Sequence, residues 1–309
     1  MNLQEQYIKI HNARSSYINE TKKTGYTSFK SHSGWTDYII DKNLVYSHRS
    51  NEYTKETFTE GLHVHDFYEL IIYIDGNVDY VTDNYIVKPK PYSVIWFCPG
   101  QMHTATLLSP SKYERYVFYF SKEFFELNNV VIPMTDFMNT KNSNAFNPGM
   151  SYTEEIKAII EKTDFTLKSD LPYSGLVAKA LITELFGIFN KPDTGITGHT
   201  ASTNILMQIK NYIDNQYAEI SSSADVAEKF HYSREHISRK FKDMFNISIS
   251  DYISKRRVLE SLPLLNEMLL SQAAYTVGFK SQSAYISAFV KNMGYLPSEY
   301  KKKKYKSEK

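Results

Sequence analysis

The spacing of apolar positions changes character along the chain and divides it into regions. Between about residues 37 and 120, β-branched and aromatic residues come in short runs: 70–74, 77–86, 93–97 and 113–120. Gly76, Pro89, Pro91, Pro99-Gly100 and Pro110 punctuate them. Many short runs separated by turn residues predict the strands of a sandwich or barrel. Residues 1–35 are polar and show no clear period, and 139–149 reads as a loop. Two helical stretches follow, 153–167 and 173–189. In the second, Leu176, Ala180, Leu181, Leu185 and Ile188 fall at helical spacing. This stripe is expected either to pack on the β region or to form a dimer contact. Residues 191–203 have a linker's composition, and from 204 onward the pattern is helical.

The helical region states one supersecondary pattern twice. Phe241 recurs as Phe289, Asn246 as Gly294, and Ser250-Asp251-Tyr252 as Ser298-Glu299-Tyr300, each pair 48 residues apart. Before each anchor come a short apolar helix, a tight turn and a second helix. This is the helix-turn-helix pattern, whose second helix enters the DNA major groove. In the first unit Val226, Ala227 and Phe230 form the inner face, His231-Tyr232 the turn, and Ser233 the cap of the next helix. Ile237, Phe241 and Met244 are expected to point inward, leaving Arg234, Glu235, Ser238, Arg239 and Lys242 outward. Arg239 has the fork geometry to read a guanine or clamp a phosphate. Free amides beside Ser233 and Arg234 favour a phosphate. Asn246 is suited to end the helix in the left-handed region.

In the second unit Ala273, Ala274 and Val277 lead into Gly278-Phe279, and Ser281 caps. Tyr285 and Phe289 face inward, while Lys280, Gln282, Ser283 and Ser287 face outward. Between the units a long helix, 252–267, carries Lys255, Arg256 and Arg257. Pro263 should end or kink it. The charge distribution agrees with this division. Residues 1–195 hold 19 Lys+Arg against 23 Asp+Glu, whereas 196–309 hold 17 against 11. The basic half is therefore the half with the repeat. Lys301 to Lys304 and Lys306 form a basic end suited to nonspecific phosphate contacts.

Residues 204–301 resemble the DNA-binding domain of the AraC/XylS transcription regulators. The residues that carry the resemblance are Val226-Ala227, Tyr232-Ser233, Ile237-Ser238-Arg239, Phe241-Lys242, Tyr252 with Arg257, Ala274, Val277-Gly278-Phe279, Gln282-Ser283, Phe289, and Gly294 followed by Pro297 and Tyr300-Lys301. The resemblance implies a seven-helix domain with two reading helices, binding double-stranded DNA at an asymmetric site near a promoter. It also implies activation of transcription, with RNA polymerase and a second copy of the chain as protein partners. By position Arg234, Glu235, Ser238 and Arg239, then Gln282, Ser283 and Ser287, correspond to the family's base-facing residues. Four positions depart from the family pattern. Ser287 stands where Arg is frequent, Val290 where Lys is frequent and Ala273 where Ile is common, and Pro263 interrupts the connecting helix. The second unit is therefore expected to read bases less than the first.

In the β region His63-x-His65-x-x-x-Glu69 precedes Gly76, and Pro99-Gly100-x-x-His103 follows. Three imidazoles and a carboxylate suit Fe, Mn, Ni or Zn. The arrangement resembles the two metal-binding motifs of the cupin barrel, where these four positions are the ligands. The same fragment also resembles the sensor domain of the regulator family, which implies a small organic effector, often a sugar, and no metal. Lys88-Pro89-Lys90-Pro91 stands where the second motif expects a glycine. The effector contacts expected on this basis are His63, His65, Glu69, Tyr73, Trp96 and His103, with Trp96, Tyr73, Tyr80, Tyr116 and Tyr119 as a stacking wall. No cofactor is expected. The alternative is a metal held by His63, His65, Glu69 and His103, in a cupin enzyme or a metal sensor fused to a DNA-binding domain.

The expected fold class is therefore a multidomain α+β chain. A cupin-like β domain (1–150) leads through a helical linker and possible dimerisation segment (151–203) to an all-α double helix-turn-helix domain (204–309). The single Cys98 excludes an internal disulfide and a zinc cluster built on cysteines. No run is long and apolar enough for a membrane helix, and 1–14 lacks a signal peptide's apolar core. A cytoplasmic regulator that is not an enzyme is the expectation. No phosphate-binding glycine loop, nucleophile elbow or catalytic cysteine setting occurs.

Overall fold

The computed structural model describes residues 3, 15–21, 26–31, 35–58, 61–82, 86–128, 145–146, 150–169, 171–189 and 205–300. The linker 191–203, the basic end 301–306 and most of the loop 139–149 lie outside the described residues. The chain forms two compact units, 1–201 and 202–309.

The first unit contains eleven strands among the described residues: β1 (Ser15–Thr21), β2 (Tyr26–Ser31), β3 (Thr36–Asp41), β4 (Leu44–Tyr53), β5 (Tyr68–Asp75), β6 (Val78–Val81), β7 (Ile86–Val87), β8 (Val94–Phe97), β9 (Thr104–Leu107), β10 (Ser111–Phe120) and β11 (Ala145–Phe146). They build an eight-stranded sheet in the order β1-β2-β3-β4-β10-β5-β8-β11 and a three-stranded sheet β7-β6-β9. Strand alternation explains both cores. On β5, Leu70 and Ile72 point to one side of the large sheet, while Glu69, Ile71 and Tyr73 point to the other. The second side shares a core with the small sheet through Val78, Tyr80, Val87, Ala105 and Leu107. The cupin-like domain thus takes the form of two sheets around one interior.

Three helices cover the first side of the large sheet: α1 (Lys122–Leu127), α2 (Met150–Lys168) and α3 (Ser174–Phe189). Phe124, Phe125, Ile156, Ile160, Leu181, Ile182, Leu185 and Phe186 pack with Leu70, Ile72, Trp96 and Phe118 in one core. Each such side chain contributes roughly 1.5–3 kcal/mol on leaving water. Polar links fix the register. Tyr46 Oη donates to Asp164 Oδ1 at 3.1 Å, and Tyr26 Oη donates to the Leu167 carbonyl at 2.9 Å. Lys179 Nζ donates to Asp41 at 2.6 Å. His48 lies between Glu114 at 2.9 Å and Asp164 at 3.4 Å. Burial alone would lower its pKa, but the bonds to Asp164 and Glu114 outweigh this and raise it.

The apolar stripe of α3 therefore packs on the sheet, with one correction. Leu176 and Ala180 are exposed, and the buried stripe runs through Ala178, Leu181, Ile182, Leu185, Phe186 and Phe189. Leu176 lies two residues, about 200° of helical rotation, from Ala178. Two further differences come from short or polar elements. Strands β1 and β2 occupy the polar region 1–35, and β11 falls within the expected loop.

The second unit contains α4 (Ile205–Gln216), α5 (Ser223–Lys229), α6 (Arg234–Phe245), α7 (Ile249–Leu264), α8 (Leu270–Thr276), α9 (Gln282–Met293) and a helical turn at 297–300. The connecting helix α7 starts earlier than its apolar spacing suggests. Ser248 caps it, accepting from Asp251 N at 3.1 Å and donating to Asp251 Oδ2 at 2.9 Å. Pro263 sits in its last turn, and Leu265 is the C-cap. The ring's missing N–H falls where the helix is ending. The basic residues of α7 are largely structural. Arg257 donates to the Tyr217 and Ile220 carbonyls at 2.8 and 2.6 Å, closing the turn after α4. Arg256 bonds Glu260 at 2.7 Å. Desolvation pushes the Lys255 ammonium down to about 8.

Candidate functional site

Helix α6 is built to hold one side inward and offer the other. Ser233 caps it, accepting from His236 N at 3.4 Å, and Asn246 stops it at φ 53. Ile237, Phe241 and Phe245 are buried. Met244, expected inward, is only half-buried, and Phe245 does that packing. Arg234, Glu235, Arg239 and Lys242 are exposed, and Ser238 is half-exposed. One contact was not legible beforehand. Arg234 Nε donates to Ser223 Oγ at 3.2 Å, so its guanidinium is tied to the start of α5. The neighbouring Asp225 accepts from Ser221 N at 2.7 Å and from Ser222 Oγ at 3.0 Å, which fixes the entry of α5.

Helix α9 repeats the design. Ser281 accepts from Ala284 N at 3.2 Å, and Gly294 stops the helix at φ 74. Tyr285 and Phe289 are fully buried, with Tyr285 Oη bonded to Ser261 Oγ at 2.8 Å. Lys280, Gln282, Ser283 and Ser287 are all exposed. Every outer-face residue expected from the sequence thus lies at least partly open, Lys280 in the turn before α9 and the others on α6 and α9. Backbone amides at each helix start and the exposed Arg, Lys, Gln and Ser side chains can donate to phosphates and base edges.

In the β domain the structure brings His63, His65, Glu69 and His103 together, with one ligand-type atom from each within 4.8 Å of the others. Residues 63 and 103 pair as an isolated antiparallel bridge, with N–H to carbonyl distances of 2.9 and 3.0 Å. This pairing brings the two sequence motifs side by side. His65 Nε2 lies 3.0 Å from Glu69 Oε2, and His103 Nε2 lies 2.9 Å from the same oxygen. His65, Glu69 and His103 are buried, and His63 is half-buried. Burial would raise the Glu69 pKa, but the bonds from His103 and His65 hold it well below the usual carboxylate range. Burial pushes the His65 imidazole down.

The remaining effector candidates separate. Tyr73 and Tyr119 share the interior side of the sheet with Glu69, as does Tyr80 from the small sheet. Trp96 does not. It pairs with Leu70, not Glu69, across β5 and β8, and is sealed at 1 % exposure against Phe125 and Phe186 beneath the helices. Tyr116 belongs to that outer core too. The stacking wall drawn from the sequence therefore divides between opposite sides of one sheet, because strand register decides orientation.

Comparison with known proteins assigns both halves. The family described as "AraC-like ligand binding domain" matches residues 44–128, and the family described as "Helix-turn-helix domain" matches 226–303. The regulator YdeC of Bacillus subtilis (strain 168) is 35% identical over 99 residues, 31% of this chain and 34% of that protein. The Msm operon regulatory protein of Streptococcus mutans is 34% identical over 97 residues, 31% of this chain and 35% of that protein. The matches thus span about a third of those relatives' length. Among solved structures, ToxT from Vibrio cholerae covers 82% of this chain and 97% of its own at 18% identity, with a TM-score of 0.33. With a ligand-binding domain of this type in front of the repeated helical motif, the chain belongs to the AraC family of helix-turn-helix regulators.

Proposed function

We propose that this protein is a sequence-specific DNA-binding transcription regulator whose β domain senses a small ligand. The observation that carries the DNA reading is the repeated construction of α6 and α9. Each is capped by serine, stopped by a left-handed residue, anchored by buried aromatics and open on its polar side. Arg239, Ser238 and Glu235 are the base-facing candidates on α6, with Gln282, Ser283 and Ser287 on α9. Ser233, Lys242 and Lys280 are the candidates for backbone contacts, and Arg234, tied to Ser223, is assigned with them and not with the base-facing residues. The test is selection of duplexes from a random pool by the full chain. A recovered consensus whose affinity falls steeply with salt supports the proposal. No enrichment, or equal affinity for all duplexes, removes it.

The ligand-binding half offers a polar, largely buried cluster at His63, His65, Glu69 and His103, with Tyr73 and Tyr119 on the same side of the sheet. We assign effector binding there and not at Trp96. Binding must differ in strength between two arrangements of the protein to alter DNA affinity. Family resemblance supports activation, with RNA polymerase as partner, and in-vitro transcription from a selected site tests its direction. The exposed Phe165, Leu171, Tyr173, Leu176 and Val177, where α2 turns into α3, support a homodimer. Sedimentation of the full chain measures it.

A further inference from the structure

We propose that Arg49 and Arg115 line the ligand site of the β domain and that its effector is a small organic anion, held by a carboxylate or phosphate group. The proposal names the chemical class of the effector and rests on the β domain being the ligand-binding half. It makes no use of the DNA-binding reading.

Strand register carries the inference. Arg115 pairs with Arg49 across β10 and β4, and with Tyr73 across β10 and β5. The three form one row on the interior side of the large sheet, the side that also holds Val45, Tyr113, Val117 and Tyr119. The row through Tyr119 and Glu69 lies four residues further along β10, about 13 Å by strand rise. Arg49 reaches toward it. Its Nε donates to Ser47 Oγ at 3.2 Å, and its guanidinium carbon lies 5.8 Å from the centre of the Tyr119 ring. Tyr119 in turn stands 6.2 Å from the His65 ring. The two arginines thus belong to the same wall as the cluster at Glu69.

Their chemistry sets the charge of the ligand. Arg49 and Arg115 are each only 4% exposed. A guanidinium stays protonated even when buried, and like charges directly opposite on paired strands repel. Apolar residues would serve folding at least as well in such a row, so a cationic row points to a ligand. Asp37 is buried beside Arg49, but its Oδ1 stands 3.5 Å from Arg49 Nη2, longer than the about 2.7–2.9 Å of a close charge-assisted bond. Ring faces supply part of the balance. The Arg115 guanidinium carbon lies 3.9 Å from the centre of the Tyr113 ring, and that of Arg49 lies 5.1 Å from the Trp35 ring. Such faces attract a cation without neutralising it. A second observation falls at the same place. The Trp35 indole Nε1 is buried and has no hydrogen-bond partner among the described residues. A buried donor beside a guanidinium calls for an acceptor. An oxyanion accepts from both kinds of donor and brings negative charge, which the hydroxyls of a neutral sugar do not.

The test uses the full chain in buffer free of phosphate and sulfate. Calorimetry compares matched probes: gluconate with glucose, glucose 6-phosphate with glucose, and benzoate with benzyl alcohol. The carboxylate and phosphate arms identify the headgroup. At least one anion is expected to bind saturably, roughly tenfold or more tighter than its neutral partner. Its affinity should fall by roughly tenfold or more in Arg115→Gln and in Arg49→Gln. It should be unchanged in Lys122→Ala, which removes an exposed cation of α1. Circular dichroism checks that each variant is folded. A second measurement needs no variant. The chain has two tryptophans, hence two indole N–H signals in its NMR spectrum. One of them, that of Trp35, should shift as the anion fills the site, while that of Trp96, on the opposite side of the sheet, should stay. Four outcomes overturn the proposal: neutral probes that bind as tightly as their anions, an anion that binds the folded arginine variants as tightly as the native chain, indole signals that move together or not at all, and no saturable anion. A neutral probe that binds while every anion fails leaves the β domain a ligand-binding one with a different effector class.

Discussion

Helix α6 turns Arg234, Arg239, Lys240 and Lys242 outward or toward its edges, whereas α9 carries a single cation, Lys291, which Asp251 holds. The inner sides differ far less. Ile237 and Phe241 of α6 answer to Tyr285 and Phe289 of α9, all buried. The repeat has therefore kept the chemistry that positions a helix and let the chemistry that touches a partner diverge. Coulombic attraction to phosphates should come mainly from the first unit. Exposed Gln282, Ser283 and Ser287 equip the second for short neutral hydrogen bonds, which demand close approach and give little affinity at a distance.

The two turns differ in a way that predicts the largest effect. The caps of α5 and α8 are 47 residues apart (Ser222 and Leu269, Phe230 and Val277), but those of α6 and α9 are 48 apart (Ser233 and Ser281). The second turn is one residue longer. The residue after the C-cap is His231 at φ 59 in the first unit and Gly278 at φ 92 in the second. A Cβ on Gly278 would lie 2.3 Å from the Ala218 carbonyl oxygen, so the turn leans on the segment after α4. Gly278→Ala should cost about 3 kcal/mol from clash and strain together. Gly294→Ala, at φ 74 with nothing within 4 Å of its Cβ, should cost only about 1 kcal/mol. Thermal unfolding of the two variants separates them, and equal losses would mean that the close approach to Ala218 is not what fixes the second turn.

The next effect concerns base reading. Arg239 and Ser287 occupy equivalent positions of the repeat, 48 residues apart, and both are exposed. Arg239→Ala should weaken a selected site by about 1–3 kcal/mol while leaving random DNA much less affected. Ser287→Ala should cost under about 1 kcal/mol, the scale of one neutral hydrogen bond. Titrations of each variant against the selected site and a scrambled duplex decide it. Equal losses at the two positions would break the contrast between the units. Equal loss of Arg239→Ala on both duplexes would move that residue to the phosphate backbone.

How much of this was legible beforehand depended on whether a signal was local. Serine caps, left-handed stops and apolar spacing are short-range, and Ser233, Asn246, Ser281 and Gly294 all take the places their residue types suggest. The histidine cluster was legible as a set, because a strand pairing joins two spaced motifs, but the Gly61, Phe67 and Gln101 carbonyls that orient its rings were not. Sheet orientation was not legible either. Trp96 and Glu69 lie on neighbouring strands, yet a shift of one residue in pairing decides which side each faces, and no local pattern states that register. The Arg234 bond to Ser223 and the Gly278 approach to Ala218 are tertiary contacts. Gly278 stands between two helical stretches, where glycine suits a turn, but the reason for it lies in a segment 60 positions earlier.

The smallest effect tests the electrostatic side of the comparison. Lys242 is exposed on α6, and its counterpart in the repeat is Val290. Lys291, one position further on α9, is neutralised by Asp251, whose own carboxyl is held low first of all by that bond. A cation that meets a phosphate releases a counterion and adds about one unit to the dependence of log affinity on log salt. Lys242→Ala should therefore lower that slope by about 1, uniformly across sequences. Lys291→Ala should leave it nearly unchanged, since removing that cation also frees the Asp251 carboxylate and does not remove a phosphate partner. Salt titrations at several concentrations on one duplex suffice. Should Lys291→Ala lower the slope as much as Lys242→Ala, the Asp251 pair opens on binding and the second unit grips the backbone as strongly as the first.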